Sequence, residues 1–384
     1  MTDKYFSKRS KKIYPQPMFS IMSRATKLEK TQKRKIIHLE IGNTGYFKND
    51  LFLKYLNKET NFKNIHYVSS AGIYDTRNKI AKKLSQNNNN FTHENIIISS
   101  ANSLITMFLY SLVNEGEKIL ILRPYFPTYQ LSSQALGLKI NYYDLNEDND
   151  WQISPDKFLE IYKNKKFKAV ILNSPSNPSG KLIENSNLKK ILKICEEKKV
   201  FCLIDYTYHN LLFDKKQKPK IFFNNFSFYI FSYSKDAAIP TFRLGFGLAN
   251  KKIINKIQEM NSLIYSCYPA NIQKALIKYL PHEKKFLKKI NYSLLLRKNL
   301  AIKILQKSNK FEIVNPDGGI YILIKILDKI DGDDFSKILL EKHNVCVCPG
   351  SSFGSNFKQY FRINLAGKFF ELKMGLNKIV SFFN

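Results

Sequence analysis

With 384 residues, 44% hydrophobic and 14% aromatic, the chain can bury one large core or two to three smaller ones, and wholesale disorder is excluded. Its formal net charge of +31 is extreme, yet the basic residues are scattered and no aromatic-interleaved basic stripe stands out. The excess is therefore read as AT-rich codon usage filling neutral surface positions, with no specific nucleic-acid or membrane partner.

The start, MTDKYFSKRSKKIYPQPM, is basic but lacks the apolar centre of a signal peptide. Residues 1–45 read as an irregular N-terminal segment that packs with the C-terminal part of the chain. From there, short apolar runs alternate with helical patterns. NIIIS (95–99), KILIL (118–122), KAVIL (168–172), VFCLI (200–204) and FYIFS (228–232) have the length and branching of buried strands. SLITMFLYSLV, after the first run, reads as a helix. In NLKKILKICEEKK, Leu188, Ile191, Leu192 and Cys195 fall on one helix face. This repetition predicts an α/β fold, a mostly parallel mixed sheet covered by helices on both faces, over residues 46–282. The patch SQNNNNFTHEN (85–95) reads as a surface loop.

Beyond residue 282 the texture changes. Lysine-rich helical patterns (284–308) lead to GGIYILIKI (318–326), a helix (333–343), VCVCPGSSFG (345–354), YFRINLA and a final helix. Residues 283–384 read as a smaller α+β domain. No apolar run approaches the ~18 residues of a membrane span. Cys195, Cys202, Cys267, Cys346 and Cys348 form no CxxC pair, and Cys346-x-Cys348 lacks a matching His/Cys pair for zinc. Buried free thiols in a reducing compartment, the cytoplasm, are expected, and no metal.

Chemistry-bearing residues collect at predicted strand ends. LNSPSNPSG places Asn177 in a tight polar turn after one strand, DYTY places Asp205 at the tip of the next, and SYSKDAA places Lys235 just after a third. Taken singly, Asn177 is a turn former, Asp205 a helix cap and Lys235 a surface charge. A parallel sheet would gather them into one crevice.

At this point the chain resembles the fold-type I pyridoxal phosphate enzymes. It is similar to the aspartate aminotransferase superfamily, class I and II, in the branch with aspartate, aromatic and histidinol-phosphate aminotransferases. The strongest segment is SYSKDAAIPTFRLGFG, similar to the family's S-x-S-K…G-x-R-x-G signature, with Thr241 where a glycine is usual. The resemblance implies that Lys235 is the Schiff-base lysine, and that Ser232 and Arg243 bind the cofactor phosphate. It implies Asp205 against the pyridine nitrogen, Asn177 and Tyr208 on the phenolic oxygen, and Phe126, in RPYFPTY, stacked on the ring. Ser100, Ala101 and Asn102 correspond to the phosphate-binding turn before a helix, where the family usually has glycines. Tyr67 would reach the phosphate of a neighbouring subunit, which implies a homodimer with shared sites. Arg362, in YFRINLA, would clamp the substrate carboxylate, and Gly42 and Asn43 would approach the substrate. The implied activity is amino transfer between an amino acid and an α-keto acid. The same scaffold also hosts decarboxylases and elimination or cyclisation enzymes. A non-catalytic binding or regulatory protein is the reading from another class, and the full set of catalytic residue types stands against it.

Overall fold

The computed structural model describes residues 5, 7, 9–60, 66–85, 90–214 and 218–383. Residues 86–89 of the expected surface loop lie outside them. The N-terminal segment departs from the irregular form expected, because Pro17–Gln32 is a helix of 16 residues. Proline suits its first turn, where the missing N–H has no partner to lose. Met18 and Ala25 are the buried residues of this helix, too sparse a pattern for apolar periodicity to register. After it comes the short strand β1 (Ile37–His38).

The large sheet has seven strands: β2 (Ile96–Ser99), β3 (Lys118–Arg123), β4 (Lys139–Asp144), β5 (Ala169–Asn173), β6 (Phe201–Asp205), β7 (Ser227–Ser232) and β8 (Gly245–Ala249), in spatial order β2-β8-β7-β6-β5-β3-β4. Strands β7, β6, β5, β3 and β4 run parallel, whereas β8 is antiparallel to both β2 and β7. Alternation along the strands feeds two cores. Ile119, Ile121, Ile171, Leu203 and Ile230 join helices Ala101–Leu112 and Lys251–Tyr265 in one cluster. Leu120, Val170, Leu172, Ile204 and Phe231 join helices Pro155–Lys165, Asn185–Lys198 and Ala270–Tyr279 in another. Period-2 side chains with apolar partners on both faces explain why these strands read as continuous apolar runs.

The C-terminal part adds β9 (Phe311–Val314), β10 (Tyr321–Ile326), β11 (Val345–Cys346), β12 (Cys348–Pro349) and β13 (Tyr360–Asn364). Four of them form an antiparallel sheet in the order β12-β13-β10-β9, while β11 pairs in parallel with β1. Ile322, Ile324, Phe361 and Ile363 pack with Ile290 and Leu294 of helix Glu283–Leu305 and with Leu372 and Leu376 of helix Phe369–Val380. The N-terminal helix lies against β11 and β12.

Candidate active site

Strands β5, β6 and β7 are parallel neighbours, so their C-terminal ends share one edge of the sheet. Asn173 ends β5, and its side chain ties the edge together. Its Nδ2 donates to the Asp205 carbonyl at 2.9 Å, and its Oδ1 accepts from the Asn177 N–H at 2.7 Å. Asp205 ends β6 and is buried. Its Oδ1 accepts from the Thr207 N–H at 2.9 Å, and its Oδ2 accepts from the Tyr129 hydroxyl at 2.6 Å. Burial raises the Asp205 carboxyl above its ordinary value, and the hydrogen bonds from Tyr129 and Thr207 offset only part of that rise. Ser232 ends β7, and the one-turn helix Tyr233–Asp236 carries Lys235.

The Lys235 Nζ donates to the Gly42 carbonyl at 2.6 Å and lies 5.9 Å from the centroid of the Tyr208 ring. Burial, reinforced by Arg243 and Arg362, brings its amine down to about 7. The amine is therefore largely unprotonated in mildly alkaline solution, available as a base or nucleophile. The loop that meets it is pinned to the same turn. Thr44 Oγ1 donates to the Ser234 carbonyl at 2.6 Å, and Asn49 Nδ2 to the Ala237 carbonyl at 2.8 Å.

A cavity of about 420 Å³ opens here, lined by Gly42, Asn43, Ala101, Asn102, Phe126, Asn177, Asp205, Tyr208, Ser232, Lys235 and Arg243. Ala101 and Asn102 open helix Ala101–Leu112, where the first N–H groups lack partners inside the helix. Ser100 is outside this lining. Its hydroxyl caps the helix by accepting from the Ser103 N–H at 3.2 Å. Arg362 is fully buried behind the lining. Its Nη1 donates to Asn177 Oδ1 at 2.8 Å and its Nη2 to the Glu40 carbonyl. Its guanidinium lies 3.9 Å from the centroid of the Tyr321 ring. Tyr67 is the outlier: it is 88% exposed and does not line the cavity of its own chain. A larger hollow of about 980 Å³, bordered by Lys189, Tyr206, His209 and Phe222, contains none of the strand-end groups, so chemistry favours the smaller one.

Sequence reasoning missed several contributors, among them the Asn173 side chain. Tyr129 was inside the quoted RPYFPTY turn, but nothing in that pattern shows that its hydroxyl meets Asp205. Thr207, just beyond the strand tip, bonds the Asp205 carboxyl through its side chain and its backbone N–H. Met18, Phe19 and Met22 of the N-terminal helix also line the cavity, from a segment expected to be irregular.

The model of the aminotransferase class I and II family matches residues 34–379. The chain belongs to this family. The aminotransferase is similar, at 30% identity over 375 residues and 96% of each chain, to the (5-formylfuran-3-yl)methyl phosphate transaminase of Methanocaldococcus jannaschii. It is 26% identical over 385 residues to a probable aspartate aminotransferase of the same organism, covering 98% of this chain and 99% of that one. Among solved structures, the aromatic aminotransferase of Pyrococcus horikoshii matches with a TM-score of 0.85 and 25% identity, over 94% of this chain and 98% of that one. The Thermus thermophilus aspartate aminotransferase with maleate shares the fold, with a TM-score of 0.89 at 19% identity, over 98% and 99% of the two chains. The aminotransferase thus has the fold-type I architecture, uses pyridoxal phosphate and moves an amino group between an amino acid and an α-keto acid.

Proposed function

We propose that the cavity at the β5–β7 edge is the catalytic site, with Lys235 as the group that carries the substrate's α-proton. The observation that carries this reading is the Lys235 amine lining the same cavity as the buried Asp205 carboxyl, in surroundings that bring it down to about 7. The donor set suits pyridoxal phosphate. One part of the lining offers Arg243, Ser232 and the unpartnered N–H groups of a helix start, which suit a phosphate dianion. Another part offers Asp205, which would keep the pyridine nitrogen protonated. Asn177 and Tyr208 would meet the phenolic oxygen, and Phe126 would cover the ring. When bound, the cofactor supplies an electron sink for the charge left on the α-carbon. Lys235 takes the proton from that carbon and returns one, a shuttle that its lowered pKa permits near neutral pH. Arg362 would offer the planar fork that a substrate carboxylate needs by exchanging its present bonds to Asn177 and Glu40, and Gly42 and Asn43 border the substrate's approach.

Met18, Phe19, Met22 and Ile41 give the cavity an apolar wall, and the cations in its described lining are Lys235 and Arg243. This supports a donor with an apolar or aromatic side chain over a dicarboxylic one. The likeness to histidinol-phosphate aminotransferases rests on sequence motifs alone. A donor screen that includes phenylalanine, leucine, aspartate and histidinol phosphate, following keto product with and without an added keto acid, tests the reading. Sustained turnover with aspartate and none with the apolar donors would reject it.

Other features of the reading concern the assembly. The active unit would be a homodimer, in which the exposed Tyr67 completes the partner's site. The chain would divide into an N-terminal segment (1–45), a cofactor-binding domain (46–282) and a small domain (283–384). Free cysteines, four of them buried, support the reducing cytoplasm as its location. Among the described residues no helix is long and apolar enough to cross a membrane.

A further inference from the structure

Away from the cavity, β1 and β11 bring together residues from opposite ends of the chain. The parallel register sets His38 beside Cys346, and Leu39 donates its N–H to the Cys346 carbonyl at 2.9 Å. Glu40 follows His38 by two positions, so both side chains leave the backbone on the same side. The imidazole, carboxylate and thiol ligand atoms all lie within 4.8 Å of one another. Glu40 and Cys346 are completely buried, whereas the His38 side chain is 29% exposed. His38 Nδ1 lies 2.8 Å from Glu40 Oε1, and His38 Nε2 lies 3.4 Å from Glu29 Oε1. Glu40 Oε2 is buried and has no hydrogen-bond partner among the described residues.

The Cys346 thiol can also hydrogen-bond the Glu40 carboxylate, but a hydrogen-bonded cluster alone does not account for three metal-ligating groups converging in one largely buried place. We propose that His38, Glu40 and Cys346 form a binding site for a zinc-class divalent metal ion. Ligand atoms around tetrahedral zinc stand about 3.4–3.8 Å apart, so His38 Nδ1 and Glu40 Oε1, now 2.8 Å apart, must open by about 0.6 Å, while the wider separations, all within 4.8 Å, close by about 1 Å. A thiolate–imidazole–carboxylate set favours zinc or cobalt over magnesium and calcium. Binding through Nδ1 leaves the proton on Nε2, where Glu29 is placed to accept it, the outer-shell arrangement usual for metal-bound histidine. The Cys346 thiol loses its proton to solvent as the sulfur–metal bond forms. Thiolate and Glu40 carboxylate then balance the ion's two positive charges in a buried place. Water reaching in from the exposed side of His38 takes the fourth position. No local spacing signals this site, because its histidine and cysteine lie at opposite ends of the chain.

The test uses holoenzyme stripped of metal by a chelator and titrated with zinc(II). The expected result is one high-affinity equivalent per chain, with X-ray absorption placing a single sulfur at about 2.3 Å from zinc among nitrogen and oxygen neighbours. Cys346→Ser should remove the sulfur signal, and Glu29→Gln should weaken binding about 10–100-fold. His38→Gln, at a partly exposed position, should weaken it further and decides the matter if Cys346→Ser fails to fold. Absence of a stoichiometric site, a zinc site without sulfur, or unchanged affinity in His38→Gln would overturn the proposal.

Discussion

At the scale of single residues, the site depends on two groups whose protonation is set by burial. Lys235 is brought to about 7, so its free amine becomes abundant as pH rises through that value, where an ordinary lysine would wait until about 10. Cofactor uptake by apoprotein should therefore climb about tenfold per pH unit below that point and level off above it. Uptake that keeps climbing from about pH 8 to 10 would show an ordinary amine. Asp205 depends on Tyr129, whose hydroxyl bond favours the ionised carboxylate. A hydrogen bond to a charged group contributes about 1.5–3 kcal/mol, so Tyr129→Phe should slow turnover about 10–100-fold. Asp205→Asn should cost about 100–1,000-fold. Because Tyr129 acts through Asp205, the double variant should be no slower than Asp205→Asn alone, and additive losses in single-turnover rates would show that it acts separately. Asp205 was legible as a strand-tip carboxylate. Its partner was not, because a hydroxyl that arrives from a different helix leaves no mark in local spacing.

Elements repeat this pattern. The buried parallel strands announced themselves, since apolar contacts on both faces force continuous Val/Ile/Leu runs. Strand β4 did not: it sits at the sheet edge, and KINYYD carries partly exposed polar residues that match no buried-strand template. The N-terminal helix escaped for a similar reason, though it supplies part of the cavity wall. The loop after β1 shows how closely elements can be fitted. A Cβ at Gly42 would stand 1.9 Å from the Tyr321 hydroxyl, while the Gly42 carbonyl receives the Lys235 amine. Gly42→Ala must therefore shift either Tyr321 or the loop. The expected loss of stability is about 1–3 kcal/mol by chemical denaturation. Turnover at a temperature where the variant remains folded should fall as well, since the same shift moves the acceptor of Lys235. A variant that loses stability but keeps full turnover would separate the loop's packing from its part in the site.

For the whole molecule, the test of assembly is complementation. Tyr67 is exposed and outside the lining of its own cavity, and in the proposed homodimer it would serve a second copy. Mixing inactive Lys235→Ala with an inactive Tyr67→Ala variant should restore part of the activity when subunits exchange, and full activity in a demonstrably monomeric wild-type protein would refute shared sites. Arg362 has a consequence of a different kind. Its guanidinium is wholly buried, its bonds run to neutral oxygens, and its Nε has no acceptor among the described residues. The Tyr321 ring face compensates it in part, but a buried cation with no carboxylate partner among the described residues still weakens the fold that contains it. In the proposed site, a carboxylate that pairs with Arg362 would relieve this and stabilise the folded state, by about 2.7 kcal/mol at a ligand concentration 100 times Kd. Simple apolar carboxylic acids, themselves inert as amino donors, should raise the melting temperature of the wild-type protein and much less that of Arg362→Met. The unfolding curve becomes a meter of substrate-site occupancy, readable without any turnover at all.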